Sequence, residues 1–117
     1  MNTTLATASL VFGYVRLEQP DRRRLEQLRR RIAGYCAREG LALELTFADN
    51  GVSDVTTTRP GWTALLDALA RTGSGSVVVP ALGHLSRNPV VRAELRDQLS
   101  HAGAMLHIAV ATPRGAA

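Results

Sequence analysis

Gly13-Tyr14-Val15-Arg16-Leu17-Glu18 follows directly on the apolar run Ala8-Ser9-Leu10-Val11-Phe12, and Pro20 comes two residues later. The apolar run has the character of a buried strand. A proline suits the first turn of a helix. The stretch therefore reads as a strand over residues 8–16 that hands over to a helix from Pro20 to Glu39. Junctions of this kind are where open α/β folds place their binding and chemical groups.

The rest of the chain repeats the alternation. Leu25, Leu28, Ile32, Tyr35 and Cys36 recur at helical spacing, and Gly40 stops that helix. Leu41 to Phe47 alternates like a half-buried strand. Ala48 to Thr58 reads as a long loop. Pro60 opens a second helix with Trp62, Leu65, Leu66 and Leu69 on one face, ended by Gly73-Ser74-Gly75. Ser76 to Leu82 is apolar throughout, as a central parallel strand is. Asn88-Pro89 is a cap followed by a first-turn proline, and it starts a third helix that runs to Ala102. Ala104 to Ala111 reads as the fourth strand. Helical crossovers predict parallel strands with right-handed connections. The fold class is α/β: three layers, with a mostly parallel four-stranded sheet. The whole chain, 1–117, reads as one domain, with 1–7 and 112–117 as loose tails.

Composition narrows the function classes. Apolar residues make up 45% and charged residues 21%, an ordinary globular mixture. No apolar run is long enough to span a bilayer, and the N-terminus lacks the basic opening of a signal peptide. The expectation is a cytoplasmic protein with no membrane partner. His84, His101 and His107 do not make a metal set with the single cysteine, Cys36. No phosphate-cradling glycine motif is present, so neither a metal nor a cofactor is expected. With 4% aromatic residues a base-stacking platform is not expected either. The formal charge is +4 and every basic residue is arginine. Arginine suits bidentate contact with phosphate and carboxylate.

Three segments converge on the end of the first strand. They are Tyr14-Val15-Arg16-Leu17-Glu18; Asp49-Asn50-Gly51-Val52-Ser53 with Arg59-Pro60-Gly61; and Gly83-His84-Leu85-Ser86-Arg87. In order and spacing they resemble the N-terminal catalytic domain of the resolvase/invertase family of serine recombinases, from about Phe12 to Ile108. That family reads roughly Tyr-x-Arg-Val-Ser, Asp-x-Gly-x-Ser-Gly, Arg-Pro-Gly and Asp-Arg-Leu-Ser-Arg. The resemblance implies strand order 2-1-3-4, with a crevice between the first and third strands. It also implies an activity: a serine attacks a DNA phosphodiester while arginines neutralise the transition state. Arg16, Arg59 and Arg87 match family arginines. His84 falls where the family has another arginine, Gly83 where it has aspartate, and Glu18 where it has the nucleophilic serine.

Several readings follow for these residues. Glu18 either pairs with arginines, caps the helix at Pro20, or acts as a carboxylate nucleophile. Toward a phosphodiester it brings like-charge repulsion. Arg16, Arg59 and Arg87 are candidates for an anion or phosphate site. Arg16 and Arg87 equally fit a structural ion-pair cluster with Glu18, Asp49 or Asp54. Ser53 and Ser86 are the fallback nucleophiles. The sequence thus reads as a catalytically degenerate, non-enzymatic regulatory or assembly module. The alternative is an active recombinase domain that cleaves and exchanges DNA strands with a relocated nucleophile.

Partners follow from what remains. The family continues into a long helix and a DNA-reading domain, neither of which is visible before Ala117, so only weak, salt-dependent DNA backbone contact is expected. Val90 and Leu99 on the third helix cannot both face one sheet, which points to a homo-oligomer or a protein partner. Arg22-Arg23-Arg24 and Arg29-Arg30-Arg31 read as a solvated helix face with Glu26 paired to Arg30. Three arginines in a first helical turn oppose the helix dipole, so an acidic protein surface or nucleic-acid phosphate is the other reading.

Overall fold

A computed structural model describes residues 10–110. The elements alternate as the sequence predicts: β1 (Val11–Leu17), α1 (Arg22–Glu39), β2 (Leu43–Asn50), α2 (Pro60–Thr72), β3 (Gly75–Val79), α3 (Pro89–His101) and β4 (Ala104–Ile108). All three pairings are parallel and the strand order is β2-β1-β3-β4, the order the resemblance implies.

Alternation along β1 divides the core in two. Val11 and Val15 face α1, where they meet Leu28, Ile32 and Cys36. Phe12 and Tyr14 face the opposite way, onto Trp62, Leu65 and Leu69 of α2 and Leu95 and Leu99 of α3. Val77 and Val79 of β3 join that second cluster, while Val78 joins the first. Three layers result: α1, the sheet, then α2 with α3.

Element ends differ from the sequence reading in identifiable ways. α1 starts at Arg22, beyond Pro20. Asp21 is its N-cap, and its carboxylate accepts from the Arg24 amide at 3.0 Å. Pro20 instead packs beside Gly51, where an added Cβ would meet the proline ring at 2.9 Å. β2 runs from Leu43 through Asn50 and takes in three residues assigned to the loop, because Ala48, Asp49 and Asn50 pair with Val15, Arg16 and Leu17. β3 ends at Val79. Pro80 has no amide hydrogen for the ladder, and a single 3-10 turn follows at Leu82–His84.

α3 starts at Pro89 with Asn88 accepting from the Val90 and Val91 amides, and it ends at His101. β4 closes at Ile108. The expected strand residues Ala8, Ser9 and Ala111, and both tails, lie outside the described residues. Leu99 is buried in the core, so of the α3 pair only Val90, 77% exposed, presents an apolar side chain to solvent. No helix among the described residues is long and apolar enough to cross a membrane.

Candidate functional site

The carboxyl ends of β1 and β3 open into a crevice of about 320 Å³ lined by Arg16, Glu18, Arg24, Gly83, His84 and Arg87. Adjacent parallel strands whose chain connections leave in opposite directions make such a crevice. β1 carries Arg16, the residues after it carry Glu18, and the turn after β3 carries His84 and Arg87. The loop 51–59 does not line this crevice but binds two of its arginines, Arg16 and Arg87, through Val52 and Asp54.

Asp54 of that loop pairs with both arginines. Its carboxylate accepts from Arg16 Nη2, from Arg87 Nε at 2.8 Å and from the Arg87 amide at 3.0 Å. Burial works to raise the Asp54 carboxyl. The hydrogen bonds from Arg87, backbone and side chain, and the charges of Arg16 and Arg87 outweigh it and hold the group below its ordinary value. Glu18 completes the cluster. Its Oε1 lies 2.8 Å from Arg87 Nη2 and 4.0 Å from Arg16 Nη1. Glu18 therefore ion-pairs, and the helix cap belongs to Asp21.

Arg16 is almost wholly buried. Nη1 donates to Val52 O at 2.8 Å and Nη2 also donates to Gly83 O at 2.8 Å. Its Nε is the one buried side-chain polar atom without a partner among the described residues. Arg59 is fully buried and points away from the crevice. It donates to Thr56 O at 2.7 Å, Leu85 O at 2.6 Å and Asp54 O at 3.3 Å. That geometry staples the 51–59 loop to the turn after β3, and it presents no guanidinium face to an anion in the crevice.

The serines are engaged too. Ser86 is fully buried; its Oγ donates to Asp54 O at 2.8 Å and accepts from the Asn88 amide at 2.9 Å. Ser53 Oγ lies 2.7 Å from Thr56 Oγ1.

The Arg59-Pro60-Gly61 segment has a second duty. Pro60 and Gly61 begin α2, and Arg59 at its N-cap makes no side-chain cap. Asp49 does so from the end of β2. It accepts from the Gly61 amide at 2.8 Å, the Trp62 amide at 2.9 Å and the Tyr14 hydroxyl at 2.7 Å. Gly61 makes this approach feasible, because a Cβ there would stand 2.5 Å from Ala48 O. Asp49 is thus part of the helix anchor and not of the arginine cluster. Burial and the Asp49 carboxylate push the Tyr14 phenol up.

His84 takes the amide hydrogen of Arg16 on Nδ1 at 3.1 Å, which places its own proton on Nε2. Burial pushes the imidazole down to about 4, and the charges of Arg16, Arg24 and Arg31 push the same way. Its unfolded value is near 6.5. The unfolded chain therefore binds the extra proton between pH 6.5 and 4, so this contribution to stability is full above 6.5 and is lost as pH falls toward 4. His84→Asn keeps an acceptor for the Arg16 amide. Urea midpoints for this variant should fall less steeply over that window than those of the parent. Parallel slopes would show that His84 is not held neutral.

One signal for this site lay in the sequence. The motif Asp-x-Gly-x-Ser-Gly ends on glycine, whereas this chain has Asp54 there, the residue that pairs with Arg16 and Arg87. The inward turn of Arg59 had no sequence signal. No cluster of metal-ligating side chains occurs among the described residues.

The family described as "Resolvase, N terminal domain" matches residues 11–115. No curated protein matches the chain in sequence. Among solved structures, the N-terminal catalytic domain of TP901-1 integrase is similar at TM-score 0.77 and 20% identity, covering 86% of this chain and 78% of that one. The C-terminal catalytic domain of ISC1926 TnpA, an IS607-like serine recombinase, is similar at TM-score 0.73 and 17% identity, covering 88% and 70%. A resolvase family site-specific recombinase from Streptococcus pneumoniae gives 0.70 and 14%, covering 86% and 72%. At these identities the likenesses establish the fold, a parallel sheet in the order β2-β1-β3-β4 with its three helices. The sequence match spans all four strands and the whole crevice, and on that ground the chain belongs to the resolvase N-terminal domain family of serine recombinases.

Proposed function

We propose that this domain is catalytically silent and serves as a non-enzymatic regulatory or assembly module. It works through protein contacts, with DNA contact limited to the phosphate backbone. The observation that carries this reading is Glu18, in the position of the nucleophilic serine, held 2.8 Å from Arg87. A hydroxyl attacks a phosphodiester after losing one proton. A carboxylate in the same place repels the incoming phosphate and cancels the field that would stabilise the transition state. Asp54 adds a second negative charge between Arg16 and Arg87. Arg16 and Arg87 are thereby neutralised from within the chain.

A relocated nucleophile finds little support. Ser86 Oγ is buried and has both a donor and an acceptor partner, and Ser53 Oγ is paired with Thr56.

Incubation with supercoiled DNA, followed by denaturing electrophoresis for covalent protein–DNA product, tests the reading. No covalent product and no strand breaks should form. A product that disappears with Glu18→Ala, Ser53→Ala or Ser86→Ala would overturn the proposal and identify the nucleophile.

A further inference from the structure

The arginine runs on α1 take no part in the crevice chemistry, and their spacing carries an inference of its own. Arg22-Arg23-Arg24 and Arg29-Arg30-Arg31 are separated by seven residues. At 3.6 residues per turn, seven residues bring the helix back to nearly the same angle. The two triplets therefore form three parallel rows along α1: Arg22 with Arg29, Arg23 with Arg30, and Arg24 with Arg31. Members of a row stand about 10.5 Å apart along the axis. Leu28, Ile32 and Cys36 face the sheet. The rows fill the opposite arc, with Arg23 and Arg30 on the crown and the other two rows on its flanks.

The charge is concentrated there. α1 holds seven arginines and two glutamates, a net +5, while the remainder of the chain holds seven arginines and eight carboxylates. The whole positive balance of the protein lies on one helix. Its first turn contains no acidic residue. Three arginines at the positive end of the helix dipole are unfavourable in the isolated domain.

Internal partners account for only part of the set. Arg31 Nε donates to Ala109 O at 3.2 Å and Arg38 Nη2 to Val110 O at 3.1 Å. Arg24 lines the crevice. Arg30 reaches Glu26 at 3.7 Å, with both side chains exposed. Among the described residues Arg22, Arg23 and Arg29 form no side-chain hydrogen bond or ion pair. A shallow concavity of about 570 Å³ lies among Arg22, Arg23, Glu26, Gln27 and Arg30.

We infer that the outer face of α1 is a docking surface for the phosphate backbone of duplex nucleic acid, separate from the crevice. A flat acidic protein surface would meet the crown row alone. A helix seated in a groove has phosphates on both walls, and rows on both flanks as well as the crown match that distribution. The major groove of B-DNA, about 12 Å wide, admits a helix of this diameter. The side chains on the crown are arginine, glutamine and glutamate, with no aromatic residue among them. Binding therefore rests on charge and shape rather than on base stacking.

Anisotropy of a labelled 20-base-pair duplex, titrated with the full chain from 25 to 200 mM salt, tests this. The parent should bind at low salt with a steep salt dependence. The variant carrying Arg22→Gln, Arg23→Gln, Arg29→Gln and Arg30→Gln keeps good helix formers and should retain its circular dichroism spectrum. Its affinity at 50 mM salt should fall at least tenfold, and its slope of log K against log salt should be shallower by about three to four. Arg96→Gln, at an exposed position of α3 away from both α1 and the crevice, should leave binding unchanged. Three results would overturn the inference: no duplex binding at low salt, equal binding by the fourfold variant, or binding of poly-glutamate as tight as that of the duplex. The last would assign the face to an acidic protein partner.

Discussion

Trp62→Ala should destabilise the domain by roughly 3–5 kcal/mol, the cost of a large aromatic side chain removed from a close-packed core. Trp62, the third residue of α2, is 2% exposed. Its ring meets Tyr14 edge-on at a centroid distance of 5.0 Å and an interplanar angle of 78°, a favoured aromatic geometry. Its Nε1–H donates to Gln98 Oε1 at 2.7 Å. One side chain thus ties α2 to β1 and to α3. Truncation leaves a void among three elements and removes the partner of Gln98. Trp62→Phe keeps most of the packing and gives up the hydrogen bond, so it should cost less than the alanine variant. Val90→Ser, at an exposed position, should stay within about 0.5 kcal/mol of the parent. Urea unfolding measures all three. Equal losses for Trp62→Ala and Val90→Ser would mean that α2 does not pack as described.

The order of elements was legible because each helix start carries its own local chemistry. Asn88-Pro89 is read as a cap and a first-turn residue without knowledge of anything distant, and the structure places α3 there. Val77-Val78-Val79 is apolar on both faces, which only a covered central strand requires, and both core clusters draw on it. Pro20 misled because a proline also fits the residue before an N-cap, and Asp21 next to it is the stronger cap. The last three residues of β2 were hidden for a different reason. Ala48-Asp49-Asn50 has weak strand propensity, and its extended form comes from pairing with Val15, Arg16 and Leu17.

The same distinction runs through the crevice. Strand ends locate Arg16, Glu18, His84 and Arg87 together at the carboxyl end of the two central strands, and that much follows from topology. Which way each guanidinium turns does not. Arg59 sits in a motif beside the crevice, yet the carbonyls of Thr56, Leu85 and Asp54 draw it inward. Asp49 and Asp54 are both loop-edge aspartates in the sequence. One closes a helix and the other binds two arginines, because they lie on opposite sides of the Gly51 turn.

Asp49→Ala should cost about 3–5 kcal/mol, although it removes few atoms. Three donors converge on this carboxylate: the Gly61 amide, the Trp62 amide and the Tyr14 hydroxyl. Asp49 is 4% exposed and Tyr14 is fully buried, so water does not readily replace the lost acceptor. Each orphaned buried donor costs about 1–3 kcal/mol, and loss of a helix cap typically costs about 1 kcal/mol. A second substitution separates this account from a general packing defect. In the parent, Tyr14→Phe removes one hydrogen bond and should cost about 0.5–1.5 kcal/mol. In the Asp49→Ala background the Tyr14 hydroxyl is itself an unsatisfied buried group. Tyr14→Phe should then be neutral or stabilising. Urea unfolding of the four proteins in this double-mutant cycle reads the sign. If Tyr14→Phe costs the same in both backgrounds, the two groups do not interact and Asp49 does not anchor α2 through them.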